Sequence, residues 1–429
     1  MKKLGIIGIL TLLVIIGFYS FVNVRAEILP MEENPYSYYE NYDFMKLEYG
    51  YQHTIALSEE GKVYTWGNNL SSQLGDNTTI SKSSPMDITG KFSLSVGEKV
   101  IDVAAGYEHT GVLTSLGKVF TWGKNTKGEV GDDTWIAKTI PVNITSRFTL
   151  AAGEKVVDID FMMFNSSALT SSGRLFTWGE SASYALGSGS LAPSKVPLDV
   201  TANLMLLPGE HVAMFSFGRD AAIALSSNNR VFTWGRNYEG QIGNGTIIEQ
   251  TLPLDITANF GLSEGEFIER IEFGYFHVSA ISNTGKLFVW GNNTYGQLGT
   301  GFGPDELSPV NITSQLILDP LDKIIETAMG THHTLIKTAM GRVFGTGSNG
   351  HGELGNNTGV YFYSPTETTS WIVLDEDEDI RDLVAASYMS AVITTSGKLL
   401  TWGWNNYGQI GDGTLIDRFV STRVYVAVT

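Results

Sequence analysis

The sequence predicts an all-β protein, a seven-bladed β-propeller of seven 56-residue repeats with four strands to a blade. Three observations carry this. Tryptophan-glycine pairs begin at Trp66, Trp122, Trp178, Trp234, Trp290 and Trp402, each step being 56 residues and the last twice that. The missing member falls on Thr346, which Gly347 still follows. A fixed period of this size marks one supersecondary unit repeated. The unit also holds four short β-type runs separated by turn chemistry, with no long apolar period of 3.6 residues. Lastly, turn glycines keep the same phase throughout, as Gly75, Gly131, Gly187, Gly243, Gly299, Gly355 and Gly411 show. At 429 residues the length alone suggests two or three domains, but units that need one another form one body.

In the second copy, residues 100–105 form the first run and Gly106-Tyr107-Glu108-His109 the turn after it. Residues 110–113 form the second run. Ser115-Leu116-Gly117 then makes a hairpin, glycine supplying a positive φ. Asn229 holds the equivalent place in the fourth copy, and asparagine is the next best residue for a left-handed backbone. Residues 119–122 are the third run, a polar glycine-rich crossing ends at Gly131, and Pro141-Val-Asn-Ile144 is expected to open and form the fourth strand. A linker, residues 144–154, completes the period and recurs as 256–266. In the first copy, Pro30-Met-Glu-Glu33 matches the fourth-strand pattern poorly, whereas 421–428 fits it. The expectation is therefore that the C-terminal strand completes the first blade and that deleting 420–429 cuts thermal stability sharply.

The N-terminus divides from the repeats. Lys2 and Lys3 precede an apolar run from Leu4 to about Val22, followed by Val24-Arg25-Ala26. Residues 1–26 are expected to be a signal peptide cleaved after Ala26, or else an uncleaved membrane anchor, since the run is long enough to span a bilayer. Residues 27–42 form a linker and 43–429 the propeller, outside the cytoplasm on either reading. With no cysteine, disulfides, thiolate nucleophiles and cysteine zinc sites are excluded. The net charge is −17, and loss of Lys2, Lys3 and Arg25 with the signal leaves −20. Such a surface repels phosphate backbones, so nucleic acid is not an expected partner.

These motifs resemble the regulator of chromosome condensation repeat family. The likeness rests on Ala104-Ala105-Gly106-x-x-His109-Thr110, Gly117-Lys-Val-Phe-Thr-Trp122-Gly123, Asn125 and Glu129-Val130-Gly131, and on Trp290-Gly-Asn-Asn-Thr-Tyr-Gly-Gln-Leu-Gly299. It covers about residues 43–429 and implies a seven-bladed propeller with a central channel. The resemblance also suggests an analogy with exported bacterial propellers that inhibit β-lactamases through aromatic-rich loops on one face. The nucleotide-exchange role of the family's nuclear member depends on a protruding insertion, for which a uniform interval of 56 leaves no room.

Each repeat tryptophan, at a fixed strand phase, is expected to pack between blades. His53, His109, His277 and His333 share the Gly-x-x-His place, but copies three, four and seven carry Asn165, Ala221 and Met389 there. A structural hydrogen bond is expected of them rather than a metal site, which needs convergent ligands. The acidic run Asp375–Asp379 reads as a solvated loop. Sequons such as Asn77 and Asn143 matter only in a host that glycosylates them. No catalytic motif is present, and no enzyme activity, cofactor or metal is expected.

The sharper signal lies where the repeat stops repeating. The residues inside Gly-x-x-His place Tyr51, Tyr107, Phe164, Tyr275, Phe276 and Tyr388 on one face, with Arg219 among them. Aromatics and arginine on a rigid ring are the composition of binding hot spots; the alternative is that they fold inward and pad the channel mouth. The leading expectation is a monomeric, non-catalytic, extracytoplasmic scaffold that binds a protein through this face. The alternatives are a polysaccharide lyase or hydrolase using channel-mouth carboxylates, and an adhesion module for cell-wall carbohydrate.

Overall fold

The computed structural model describes residues 39–40 and 43–427. The expected signal or anchor, residues 1–26, and all but two residues of the expected linker lie outside the described residues. Seven four-stranded antiparallel sheets follow one another along the chain, in the order of their strands. The second is representative: Val100–Ala105, His109–Thr114, Val119–Gly123 and Lys138–Asn143. The other blades span residues 44–87, 156–199, 212–255, 268–311, 324–367 and 380–423. The middle two strands of every blade are buried along their whole length, so they read as continuous apolar or small-residue runs. The first strand alternates, turning one face to the sheet-on-sheet core and the other to the channel.

The fourth strand begins earlier than the sequence suggests, at Lys138 rather than at Pro141. Register explains this: Gly123 pairs with Lys138 and Thr121 with Val142, and the irregularity between those pairs is where the proline sits. Proline is tolerated there because the fourth strand is the blade's outer edge.

Blades are fastened to one another by the landmarks of the repeat. Trp122 Nε1 donates to the main-chain oxygen of Gln73 in the preceding blade at 2.8 Å, and Trp178 to that of Glu129 at 2.9 Å. The other four indoles repeat the bond. Gly131 ends the crossing because a Cβ there would lie 2.7 Å from Trp178 Nε1. In the sixth blade Thr346 Oγ1 reaches Gly296 O at 2.8 Å, and Pro365 fills the indole's space against Gly299. The crossing itself is wound about one buried asparagine. Asn125 Nδ2 donates to Asp132, Thr134 and Ile136, while its oxygen accepts from Val130 N.

The linker, which sets the long period, is a docking element. Thr145 opens a single 3-10 turn (Thr145–Arg147), and its hydroxyl accepts Val119 N at 2.9 Å. Phe148 then packs on Phe176 and Trp178 of the following blade, at 5.3 and 5.7 Å between ring centres. Glu154 accepts from Ala151 N, Thr170 and Arg174, clamping that blade's outer hairpin. Glu98 does the same with Ser95 N, Thr114 and Lys118. Burial alone would raise its pKa, but these bonds outweigh burial and hold it down at about 2. The acidic run is one of these linkers: Glu378 is clamped in the same way and pairs with Lys398, as does Asp375.

Closure differs from the sequence expectation. The C-terminal strand Arg418–Arg423 pairs with Leu399–Gly403 of its own seventh blade. The first blade completes itself with Lys82–Asp87. The motif Pro85-Met-Asp-Ile88 is thus the first copy's fourth strand, and the expected pairing was one period out of phase. Residues beyond Arg423 take the linker's part: Val424 and Val426 pack with Trp66 in one cluster. Val426–Ala427 also pairs with Tyr39–Glu40. The seam between last and first blades carries the same fastening as the others, Trp66 Nε1 donating to Gln409 O at 2.8 Å.

Candidate functional site

Because strand direction alternates, the Gly-x-x-His turns and the third-to-fourth-strand crossings leave each blade on one face; hairpins and linkers leave on the other. Gly106 is required by the imidazole lying over it, since a Cβ would meet His109 Cε1 at 2.0 Å. His109 Nε2 donates to Ser166 Oγ of the next blade at 2.8 Å, and that hydroxyl donates to Glu129 O. His53, His277 and His333 make the same relay through Thr110, Thr334 and Ser390. Burial lowers the pKa of all four to about 3, so they are neutral hydrogen-bonding struts between blades.

Their turns form a rim closed partly by main-chain bonds between blades. Tyr107 N donates to Met163 O at 2.7 Å, Arg219 N to Tyr275 O at 2.9 Å and Thr331 N to Ser387 O at 2.8 Å. Tyr51, Tyr107, Phe164, Arg219, Tyr275, Phe276 and Tyr388 all stand on this rim, and all are neither fully buried nor fully exposed. Tyr51 stacks on Tyr107 at 4.3 Å between ring centres, and Tyr107 meets Phe164 at 5.2 Å. Arg219 lies over Tyr275 and Phe276 at 5.5 and 5.4 Å, near enough for cation–π attraction. Arg236 lies on Phe276 at 5.2 Å. Tyr51, Tyr107 and Tyr275 line the neck of the channel, a cavity of about 10 Å³, with room for one water.

Tyr388 is joined to the rest by residues the sequence argument passed over. His351, Trp404 and His332 lie 5.6, 6.0 and 6.3 Å from its ring centre, and Tyr295 lies 4.5 Å from His332. Trp404 also meets Tyr51 at 5.8 Å, so the aromatic belt runs on from blade seven to blade one. His332 stood in a Gly-x-x-His turn and was not singled out. Trp404, His351, Tyr295 and Arg236 belong to the crossings. The signal was present, since the second residue after each repeat tryptophan varies as Asn68, Lys124, Glu180, Arg236, Asn292 and Trp404.

The channel carries a second group of titratable side chains. Glu48, Asp102, Asp158, Asp160, Glu272 and Glu326 come from first strands of five blades. Burial raises Asp160 to about 7 and Glu272 to about 8. The oxygens of Asp160, Glu272 and Glu326 are engaged by the next blade. Asp160 accepts Phe217 N at 3.0 Å, Glu272 accepts Met329 N and Thr327 Oγ1, and Glu326 accepts Leu383 N. A cavity of about 180 Å³ lies beside Glu272 and Glu326, smaller than ordinary ligand clefts of ~300 Å³ or more. These carboxylates brace blade against blade, and the engaged oxygens of Glu272 are not free to serve as a general base.

The RCC1-like domain model matches residues 91–428, and RCC1 repeat models match 60–113 and 46–73. The chain belongs to the RCC1-like family. Among curated members, it is 29% identical over 307 residues to the ultraviolet-B receptor UVR8 of Arabidopsis thaliana. It is 32% identical over 324 residues to the E3 ubiquitin-protein ligase HERC2 of Homo sapiens. These alignments cover 71% and 74% of this chain, but only 65% of the receptor and 6% of the ligase. Among solved structures, Prp20p from Saccharomyces cerevisiae superposes with a TM-score of 0.72 at 24% identity, covering 86% of this chain and 87% of that one. Human WBSCR16 gives 0.71 at 20%, covering 85% and 94%. These likenesses establish the RCC1-like fold and leave the function to the site.

Proposed function

We propose that the chain is a non-catalytic scaffold, acting outside the cytoplasm, that recognises a protein through the channel-mouth face. The observation that carries this is the rim itself. Aromatic and arginine side chains contributed by all but one of the Gly-x-x-His turns meet in one half-exposed belt, on a frame of buried strands and inter-blade bonds. A preformed surface of this composition binds with little ordering cost. Relatives give support of the same kind: the yeast propeller Prp20p is described with its binding to Gsp1p and histones, and yeast RCC1 with Kap60 bound. The extracytoplasmic placement rests on the charged, apolar and small-residue pattern of residues 1–26.

The test uses the full chain as bait against the native extracellular fraction. A parallel bait has Tyr51, Tyr107, Phe164, Tyr275 and Tyr388 all changed to Ala, with its fold checked by circular dichroism. A protein retained by the first and lost by the second is the expected result. Retention by both moves the site elsewhere on the ring, and retention by neither removes the scaffold reading. Recovery of the native chain in the cytosol alone would overturn its placement.

A further inference from the structure

The mouth of the channel carries a group of half-exposed donors. Tyr51, Tyr107 and Tyr275 line one narrow neck, and Arg219 lies against the ring of Tyr275 at 5.5 Å. Among the described residues none of these three phenol oxygens makes a hydrogen bond. Among the described residues the ion-pair partner of Arg219 is Asp220, at 3.5 Å from Nε, and the Arg219 side chain is 40% exposed. Neighbouring carboxylates are already engaged: Glu108 by Lys124 and Ser71, Glu239 by Arg236, and Glu180 by Lys127. Burial raises the pKa of Tyr107 and Tyr275, and each also feels Tyr51 and Arg219 across the ring. The Tyr107 and Tyr275 phenols therefore stay protonated donors at any physiological pH, and with Tyr51 they border one narrow space.

We propose that this mouth captures a single carboxylate, the projecting Asp or Glu side chain of a protein partner, with Arg219 as the charged donor and the Tyr51, Tyr107 and Tyr275 hydroxyls around it. The inference rests on the scaffold reading above and specifies what its partner must present. A guanidinium held flat on an aromatic ring is preorganised to meet a carboxylate. The aromatic surround lowers the local dielectric, which strengthens that contact. The neck itself, a cavity of about 10 Å³ with room for one water, is too small for a side chain or a sugar ring, so the carboxylate is held above it, where Arg219 lies on Tyr275. The chain's net charge of −17 adds a second condition. A strongly acidic protein would be repelled at a distance, so the acidic tip belongs on a partner whose body is neutral or basic.

The test titrates the full chain with three probes, followed through the Arg219 side-chain NMR signal. They are a blocked Gly-Gly-Asp-Gly-Gly peptide, its Asn counterpart and a galacturonate trisaccharide. The Asp peptide alone is expected to shift the signal. Bonds to a charged group are among the strong ones, so Arg219→Gln should weaken capture of the protein partner at least about tenfold, and Arg219→Lys should restore part of it. Equal response to the Asp and Asn peptides, or no response to either, overturns the proposal. A response to galacturonate but not to the Asp peptide replaces the protein partner with an acidic glycan. Near-UV circular dichroism verifies that the variants keep the wild-type fold. If Arg219→Gln leaves capture unchanged while the five-alanine rim abolishes it, the carboxylate inference falls and the scaffold stands. Capture unaffected by either variant removes both.

Discussion

At the scale of single residues, the repeat markers are fasteners. Each indole N–H holds a main-chain oxygen of the blade before it, in a fully buried setting. Trp178→Phe drops the donor and shrinks the buried ring, leaving Glu129 O with the Ser166 hydroxyl alone. The expected loss is more than about 1 kcal/mol of unfolding free energy, the lost bond plus the space left by the indole, read by urea denaturation. Sequence showed the tryptophans, glycines and histidines as structural because they repeat in phase. It showed Tyr51 or Arg219 as candidates because they do not. It could not show that Tyr51 stacks on Tyr107 or that Arg219 lies on Tyr275, since neighbours on the rim are 56 residues apart and side-chain direction is set by the ring.

At the scale of the element, the linker accounts for the long period. Its apolar peg, its threonine and its terminal acid, Asp322 in one copy and glutamate in the others, each make specific contacts, so its length is held constant. Phe148→Ala empties the space beside Phe176 and Trp178 and should cost about 3–5 kcal/mol, seen as a lowered melting temperature with native secondary structure below it. Removal of residues 424–429 uncovers Trp66 without touching the last blade's fourth strand. It should destabilise less than removal of 420–429, which takes part of that strand as well. Equal melting temperatures for the two truncations would show that residues 420–423 add nothing, and a chain lacking 424–429 that melts with the full chain would show the same of the tail. The linker's turn was hidden from sequence reasoning because a single 3-10 turn has no period to detect. Closure was mistaken for a related reason: a repeat reveals its phase but not where one blade stops, and only strand pairing fixes that.

At the scale of the whole molecule, buried titratable groups pull stability in two directions. The four strut histidines have folded pKa values near 3 against an ordinary 6.5, so the unfolded chain binds more protons between those values. Their contribution is complete above pH 6.5 and is lost as pH falls. Asp160 and Glu272 are raised to about 7 and 8, so the native state binds more protons than the unfolded chain up to those values, and stability declines as pH rises through them. Thermal unfolding followed across pH should therefore peak near pH 6.5. Glu272→Gln should flatten the decline above pH 6.5 and steepen the rise just below it, and an unchanged alkaline side would contradict the assignment.

Since every blade is one unbroken stretch of chain, with no strand lent across the seam, the boundary of the repeat and the boundary of the sheet coincide. Duplication or loss of 56 residues adds or removes a whole blade and never severs one. The unit that folds can then also be the unit that is inherited. A new rim residue enters on an intact blade, and the surface can diversify one turn at a time without disturbing the ring beneath it.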